Sequence, residues 1–253
     1  MKASALLFRF RMIVLAAIIC TGIWAPWIQF WGVGSRISLL EWLGLEISRA
    51  GLLSFTVATP VVIVCAALLA ALGAALRIWA SAYLGQGIVI SARMQAAAVN
   101  ADGPYRYVRN PLYLGMILWV AAMCLMMPAS GALFVLIGVP LVVLGLISGE
   151  ESFLAAKLGD PYRAYLRVVP RIVPRLRTTL APSGNKPHWL QAVLSEITPI
   201  GVFVTIAFLS WTYDTTLMER AILISFGLSL VARALILGTR PGSKTPEPAS
   251  SPE

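Results

Sequence analysis

The chain has 253 residues, of which 58% are hydrophobic and 12% are charged, and its formal net charge is +9. Soluble domains carry about 25% charged residues, so this composition excludes an ordinary water-soluble enzyme and a disordered chain, and it indicates a multi-span integral membrane protein. The positive charge is typical of cytoplasmic loops in membrane proteins, and no nucleic-acid-binding motif accompanies it, so no nucleic-acid partner is expected.

Six apolar stretches of helical length follow one another along the chain. The first has a basic start and ends in tryptophans instead of the small residues of a cleavage site, which favours an uncleaved span over a secretory signal. The segment 35–54 places leucines at helical spacing among charged residues and predicts an amphipathic interfacial segment. The predicted fold class is an all-α, multi-span membrane bundle of about six spans, at 10–31, 52–80, 112–127, 132–147, 197–211 and 221–237.

The third and fourth stretches are separated only by the four small or turn-forming residues 128–131. This spacing predicts a tight helical hairpin. Residues rich in proline and serine close the chain and predict a disordered tail. The predicted organisation has four parts. Residues 1–75 hold the N-terminal spans, and residues 76–177 form a core built on the hairpin. Residues 178–238 hold a surface segment and two final spans, and residues 239–253 are the tail.

Charge asymmetry predicts the orientation of the chain in the membrane. With six spans, both termini and the two long polar segments that flank the hairpin lie on one side. Of the 20 Lys and Arg residues, only Arg36, Arg49 and Arg220 lie on the other side. The positive-inside rule therefore places the termini and both polar segments in the cytoplasm, where they meet at the membrane boundary and predict a cytosolic cofactor pocket.

The residues that commonly bind metals are scarce. His188 is the single histidine, so any site with two histidine ligands is excluded. Cys20, Cys65 and Cys124 lie inside apolar runs and form no C-x-x-C pair, which indicates small core residues. No metal site is predicted.

The first polar segment ends in G-P-Y-R-Y-V-R-N-P-L-Y-L-G, residues 103–115. Pro111 disfavours helical angles at the residue before it and suits the first turn of a helix. Asn110 is therefore predicted to be the N-cap, and the unpaired N–H groups of the new helix are available to a ligand. A basic turn at the membrane surface explains the same residues without a ligand, and both interpretations remain open.

The second polar segment begins with Glu150 and Glu151, directly after an apolar run. Adjacent carboxylates at the end of a buried helix are costly. Either the helix continues and the pair marks the water line, with Lys157 as its counter-charge, or the pair faces a cationic ligand or ribose hydroxyls. Farther on, Tyr162 and Tyr165 share a helix face, which an interfacial aromatic belt explains.

Together, the first motif, the hairpin and E-E-x-F-L-x-x-x-x-G-x-x-Y-x-x-Y-x-x-x-V-P resemble a superfamily of membrane methyltransferases. It includes isoprenylcysteine carboxyl methyltransferases and phospholipid N-methyltransferases, and the resemblance covers about residues 76–174. The resemblance implies S-adenosylmethionine as cofactor, held between the two polar segments. It assigns cofactor contacts to Val99, Asn100, Tyr105, Asn110, Pro111, Leu112, Tyr113, Glu150 and Glu151.

Two positions bear on the substrate. Asn110 stands where the family carries histidine, and Leu146 stands where the eukaryotic isoprenylcysteine enzymes carry arginine. Asn110 accepts no proton near neutral pH, while methyl transfer needs positioning and electrostatics more than acid–base help, so no catalytic residue is predicted. We therefore expect O-methylation of a carboxylate on a lipidated or lipid-like substrate. The alternatives are a phospholipid N-methyltransferase and a non-catalytic transporter or scaffold.

Overall fold

A computed structural model describes residues 2–24, 37–84 and 101–238 of the chain. Within these ranges the regular structure is helical, and the one β-type pairing is an isolated bridge between Ser38 and Pro128. The all-α prediction is therefore confirmed.

Nine α-helices lie within the described ranges. Three further short helical turns matter for the architecture: Gly103–Arg106 precedes the fourth helix, Cys124–Met126 extends it, and the π-type turn Thr205–Leu209 extends the eighth. In chain order the helices are α1 Lys2–Ile23, α2 Leu39–Arg49, α3 Phe55–Leu84, α4 Pro111–Met123, α5 Ala129–Leu158, α6 Asp160–Val168, α7 Trp189–Ser195, α8 Ile197–Val204 and α9 Thr215–Gly238.

Two of these helices, α3 and α5, are long and apolar enough to cross a membrane, with 30 residues each. At 1.5 Å per residue, each is about 45 Å long, which exceeds the hydrocarbon core of a bilayer. A third candidate is the pair formed by α7 and Ile197–Thr212, which is bent by 68°. The described residues thus contain two or three candidate spans, and the expected total of about six is not confirmed.

Large apolar side chains lie exposed on the outer faces of these helices. Leu68 and Leu72 on α3, and Ile137 and Leu141 on α5, are each more than half exposed. Contiguous exposed apolar surface of this kind is unfavourable in water and normal against lipid acyl chains. These are the faces of an integral membrane protein.

The third and fourth apolar stretches do not pack as the sequence predicts. Helix α5 begins at Ala129, so only Met127 and Pro128 separate it from the short turn that ends α4. However, α4 packs chiefly against α3, and α5 packs chiefly against α1. The connection of the hairpin is as short as predicted, but its two helices are not each other's main packing partners.

Close approach of backbones explains these pairings. A Cβ atom on Gly73 of α3 would lie 2.8 Å from the carbonyl oxygen of Gly115 on α4. A Cβ atom on Gly131 of α5 would overlap the backbone of Gly22 on α1. Small residues at helix crossings allow dense packing where no hydrophobic effect drives helices together.

The amphipathic helix expected within 35–54 is present as α2. Ser38 and Glu41 form a capping box at its start, and the helix packs against α3 with Leu40 and Gly44 buried. Satisfying the first N–H groups in this way defines where the helix begins.

Candidate cofactor site

The two polar segments meet on one face of the bundle, at the beginning of α4 and the end of α6. The backbone N–H of Arg109 donates to the carbonyl oxygen of Pro170 at 2.9 Å, and that of Arg175 donates to Tyr107 at 3.0 Å. Two main-chain hydrogen bonds between distant segments hold them in register, so side chains from both sides of the α4–α5 unit can contact one small molecule.

Helix α6 strengthens this junction. The Tyr165 hydroxyl donates to the carbonyl oxygen of Tyr105 at 2.8 Å, and the rings of Tyr162 and Tyr165 lie 5.8 Å apart. The shared face is confirmed, but both rings are buried, so they join the two segments instead of forming an exposed belt. Burial raises the pKa of both phenols above the usual value, which keeps Tyr165 protonated as a donor.

Helix α5 continues past the paired glutamates to Leu158, so the interpretation of a continuous helix is correct. The expected counter-charge is wrong: the Lys157 ammonium lies over the Phe153 ring, 5.8 Å from its centroid. Neighbouring residues on a helix point about 100° apart. Glu150 and Glu151 consequently contact different parts of the site.

Glu151 is buried and fully engaged by the protein. Its Oε2 atom lies 3.0 Å from Arg171 Nη2, and its Oε1 atom accepts from Asn110 Nδ2 at 3.2 Å, with Arg109 Nε at 3.5 Å. A buried carboxylate is tolerated when it is paired and hydrogen-bonded. Through these contacts, Glu151 connects α5 to the first polar segment and to the chain after α6.

Glu150 is engaged on one side only. Its Oε2 atom accepts from the Tyr113 hydroxyl at 3.1 Å, Arg11 acts on it electrostatically, and within the described part of the chain no hydrogen bond to its Oε1 atom is found. The 3.1 Å contact spans α4 and α5 at the face where the polar segments meet. Glu150 is thus the carboxylate of the pair that is able to accept from a ligand.

Asn110 takes the N-cap position of α4, and Pro111 is the first helical residue, as predicted. The Asn110 side chain does not cap the helix. Its amide group donates to Glu151 and to the carbonyl oxygen of Arg171, the latter at 3.0 Å. The amide tethers the two segments because it can donate two hydrogen bonds at once.

Tyr105 is buried, and its hydroxyl has no hydrogen-bond partner among the described residues. Burial, together with the negative charge of Glu150, raises the pKa of this phenol well above its usual range. A buried polar atom without a partner costs free energy. An unpaired hydroxyl near a half-engaged carboxylate therefore indicates a place for a polar ligand.

Leu112 enters through its backbone, since its carbonyl oxygen accepts from Arg77 Nη1 at 3.0 Å. Val99 and Asn100, the remaining predicted contacts, lie outside the described residues. Sequence reasoning missed Arg77, Arg109 and Arg171. A signal existed for the first, because an arginine near the end of an apolar helix requires a buried partner or water.

A small cleft also lies at the opposite end of α4. Ser38, Glu41, Leu125 and Met218 are among the residues that line it. Glu41 is already committed to the cap of α2. None of the predicted site residues contributes to this cleft.

Comparison with known proteins yields one family. Residues 61–160 match the phospholipid methyltransferase family. No curated protein and no solved structure matches the chain. The matched segment runs from α3 through both glutamates and contains all the predicted site residues. The match covers 100 of the 253 residues, and the family it names belongs to the superfamily of membrane methyltransferases that the two sequence motifs resemble.

Proposed function

We propose that this protein is an S-adenosylmethionine-dependent membrane methyltransferase whose cofactor binds between the two polar segments. The observation that carries the proposal is the 3.1 Å contact between Tyr113 and Glu150, together with the buried Tyr105 hydroxyl, which has no hydrogen-bond partner among the described residues and experiences the charge of Glu150. One carboxylate oxygen and one hydroxyl group are thereby left for a ligand at the junction of the family's two motifs.

The residues present fit S-adenosylmethionine chemically. Its sulfonium and ammonium groups suit a carboxylate, and its ribose hydroxyls suit a carboxylate or a phenol. Glu150 and Tyr105 would supply these contacts. By resemblance, the cofactor would be walled by Asn110, Pro111, Leu112 and Tyr113, and by Val99 and Asn100.

When bound, S-adenosylmethionine would supply a methyl group bonded to a positively charged sulfur, and an acceptor in line with that bond would take the methyl group while the sulfur leaves as a neutral thioether. The chain contributes positioning and electrostatics. Tyr113 orients the Glu150 carboxylate, while Glu151 and its two arginines hold the polar segments together. The apolar helices α3 and α5 keep the site beside the bilayer, where a lipid-like acceptor reaches it without crossing water.

We propose a carboxylate as the methyl acceptor, on a lipidated or lipid-like molecule. A carboxylate is nucleophilic without losing a proton, whereas an amine must first be deprotonated. Asn110 offers no base, and Glu151 is neutralised by Arg109 and Arg171. O-methylation therefore makes the smaller demand on these residues.

Phospholipid N-methylation is the second candidate. It is favoured by the description of the matched family and by the unengaged oxygen of Glu150, which is able to accept a proton from an ammonium group. A site at the cytoplasmic face, as the positive-inside rule predicts, gives either reaction access to cytosolic cofactor.

The test is methyl transfer from radiolabelled S-adenosylmethionine to a membrane lipid extract, followed by mild base. Label that base releases as volatile methanol comes from a methyl ester and supports the carboxylate acceptor. Label that stays non-volatile after base is an N-methyl product and favours the second candidate. Absence of both transfer and calorimetric S-adenosylmethionine binding by the purified protein would contradict the methyltransferase proposal and favour a non-catalytic scaffold.

A further inference from the structure

A buried ion pair lies beside the candidate site and is not used by the chemistry above. Glu196, between α7 and α8, is 0% exposed. Its carboxylate accepts from Arg77 on α3 through two contacts, Nε–Oε2 at 2.5 Å and Nη2–Oε1 at 3.0 Å. Ser81 donates to Oε1 at 2.5 Å. Both oxygens of this carboxylate are therefore consumed by α3.

The same guanidinium extends into the site. Arg77 Nη1 donates to the carbonyl oxygen of Leu112 at 3.0 Å, and Leu112 precedes Tyr113. The aliphatic stem of Arg77 crosses α4 at Gly115, where a Cβ atom would lie 2.5 Å from Arg77 Cγ. Arg77 thus contacts the first turns of α4 by a hydrogen bond and by packing.

The three nitrogen donors of the planar Arg77 guanidinium contact the two carboxylate oxygens of Glu196 and the carbonyl oxygen of Leu112. The two contacts with Glu196 fix the orientation of the guanidinium plane. Bidentate pairing fixes the orientation of a guanidinium, which an ammonium group does not reproduce. Rotation of Arg77 away from Glu196 would remove the donor from Leu112. The orientation of the α4 start is therefore coupled to a residue outside the matched segment 61–160.

We infer that Glu196, acting through Arg77, is a positioning residue that holds the first turn of α4 so that Tyr113 meets Glu150. The segment around α7 and α8 then helps to position residues of the site and is not only an additional membrane anchor. The inference rests on the proposed function for its consequence in methyl transfer, but its structural half is independent of that function.

The test is Arg77→Lys in the full-length protein in detergent. Lysine keeps the charge opposite Glu196 and loses the planar third donor to Leu112. The matched control is Arg49→Lys, which alters an exposed pair with Glu46 on α2. Hydrogen exchange of the amides of residues 114–116 reports the order of the α4 start whether or not the protein transfers methyl groups, and kcat/KM reports the site.

We expect Arg77→Lys to accelerate exchange at 114–116, to leave exchange in α5 unchanged, to lower the thermal midpoint because the buried Glu196 loses donors, and to lower kcat/KM about tenfold. The control should match the wild type in all four measurements. Unchanged exchange at 114–116, equal acceleration along the whole chain, or wild-type kcat/KM with accelerated exchange would each overturn the inference. A wild-type protein that neither binds S-adenosylmethionine nor transfers methyl would instead overturn the proposed function.

Discussion

At the scale of single residues, Glu150 and Glu151 are adjacent but have different partners. Glu151 neutralises two arginines and receives the Asn110 amide, so its role is to join segments. Glu150 is held by one phenol and keeps an oxygen available. The pair could be located in the sequence, but this division could not, because it depends on which way α5 is rotated and on arginines far along the chain.

Glu150→Gln should weaken S-adenosylmethionine binding about ten- to a hundredfold, because a hydrogen bond to a charged group contributes about 1.5–3 kcal/mol. Glutamine still accepts from Tyr113, so the thermal midpoint should stay near that of the wild type. Calorimetric titration of the detergent-purified protein measures the affinity. Glu46→Gln is the control, because Glu46 lies on α2 with a side chain that is 42% exposed. Wild-type affinity in Glu150→Gln would remove the carboxylate from the site.

At the scale of elements, local signals and helix packing decide different things. Proline at the start of α4 and the capping box of α2 fix where helices begin, and both are readable in the sequence. Which helices pack together depends on glycines at crossings, such as Gly73 with Gly115. The sequence predicts that α4 packs against α5, because helices joined by a short connection are usually neighbours. In the structure, close backbone approach instead pairs α4 with α3 and α5 with α1.

Gly73→Ala should destabilise the protein by about 1–3 kcal/mol, the usual cost of overpacking a dense interior. Its new Cβ would lie 2.8 Å from the Gly115 carbonyl oxygen, and backbone on both sides leaves little room to relax. Gly227→Ala on α9 is the matched control, because a Cβ atom there would meet no described heavy atom within 4 Å apart from its chain neighbours and its own helix backbone. Denaturant unfolding in mixed micelles should separate the two variants; equal stability would show that the α3–α4 crossing tolerates a methyl group.

The junction made by α6 predicts a dependence of stability on pH. Burial raises the pKa of Tyr165 in the folded protein above the usual phenol value of about 10. The folded state therefore binds the proton more tightly than the unfolded state, so this contribution is complete below about pH 10 and is lost as the pH rises through the folded pKa.

Thermal unfolding measured from pH 8 to pH 11 should thus show a falling midpoint above about pH 10. Tyr165→Phe should be less stable at pH 8, because it loses the hydrogen bond to Tyr105. Its unfolding midpoint should fall less steeply than that of the wild type as the pH rises above about 10. Tyr213→Phe alters an exposed tyrosine and serves as the control. An identical alkaline slope in wild type and Tyr165→Phe would contradict the assignment.

At the scale of the whole molecule, the polar segments, their arginines and the candidate site lie at one end of the bundle. The large apolar side chains exposed on the outer faces of α3 and α5 are unfavourable in water and normal against lipid. The positive-inside rule predicts that the arginine-rich end faces the cytoplasm. This orientation remains a prediction, and it determines which side of the membrane the candidate site faces.

A cysteine-free variant, with Cys20, Cys65 and Cys124 replaced by serine or alanine, allows the orientation to be tested. Asn185→Cys, at an exposed position beside the site segments, should react with a membrane-impermeant maleimide only after cells are permeabilised. Arg49→Cys, on the predicted opposite side, should react in intact cells. The reverse pattern would place the site outside the cytoplasm.

The sequence by itself determined the helical membrane class, the two motif segments and most of the residues that meet at the candidate site, because hydropathy, proline positions and local spacing act over short distances. Only the tertiary structure decided which glutamate is bound by arginines, and that the Tyr105 hydroxyl has no partner among the described residues. It alone paired Arg77 with Glu196, 119 positions apart. Such pairings depend on helix rotation and crossing, which are set by packing of the whole bundle and leave no local pattern in the chain.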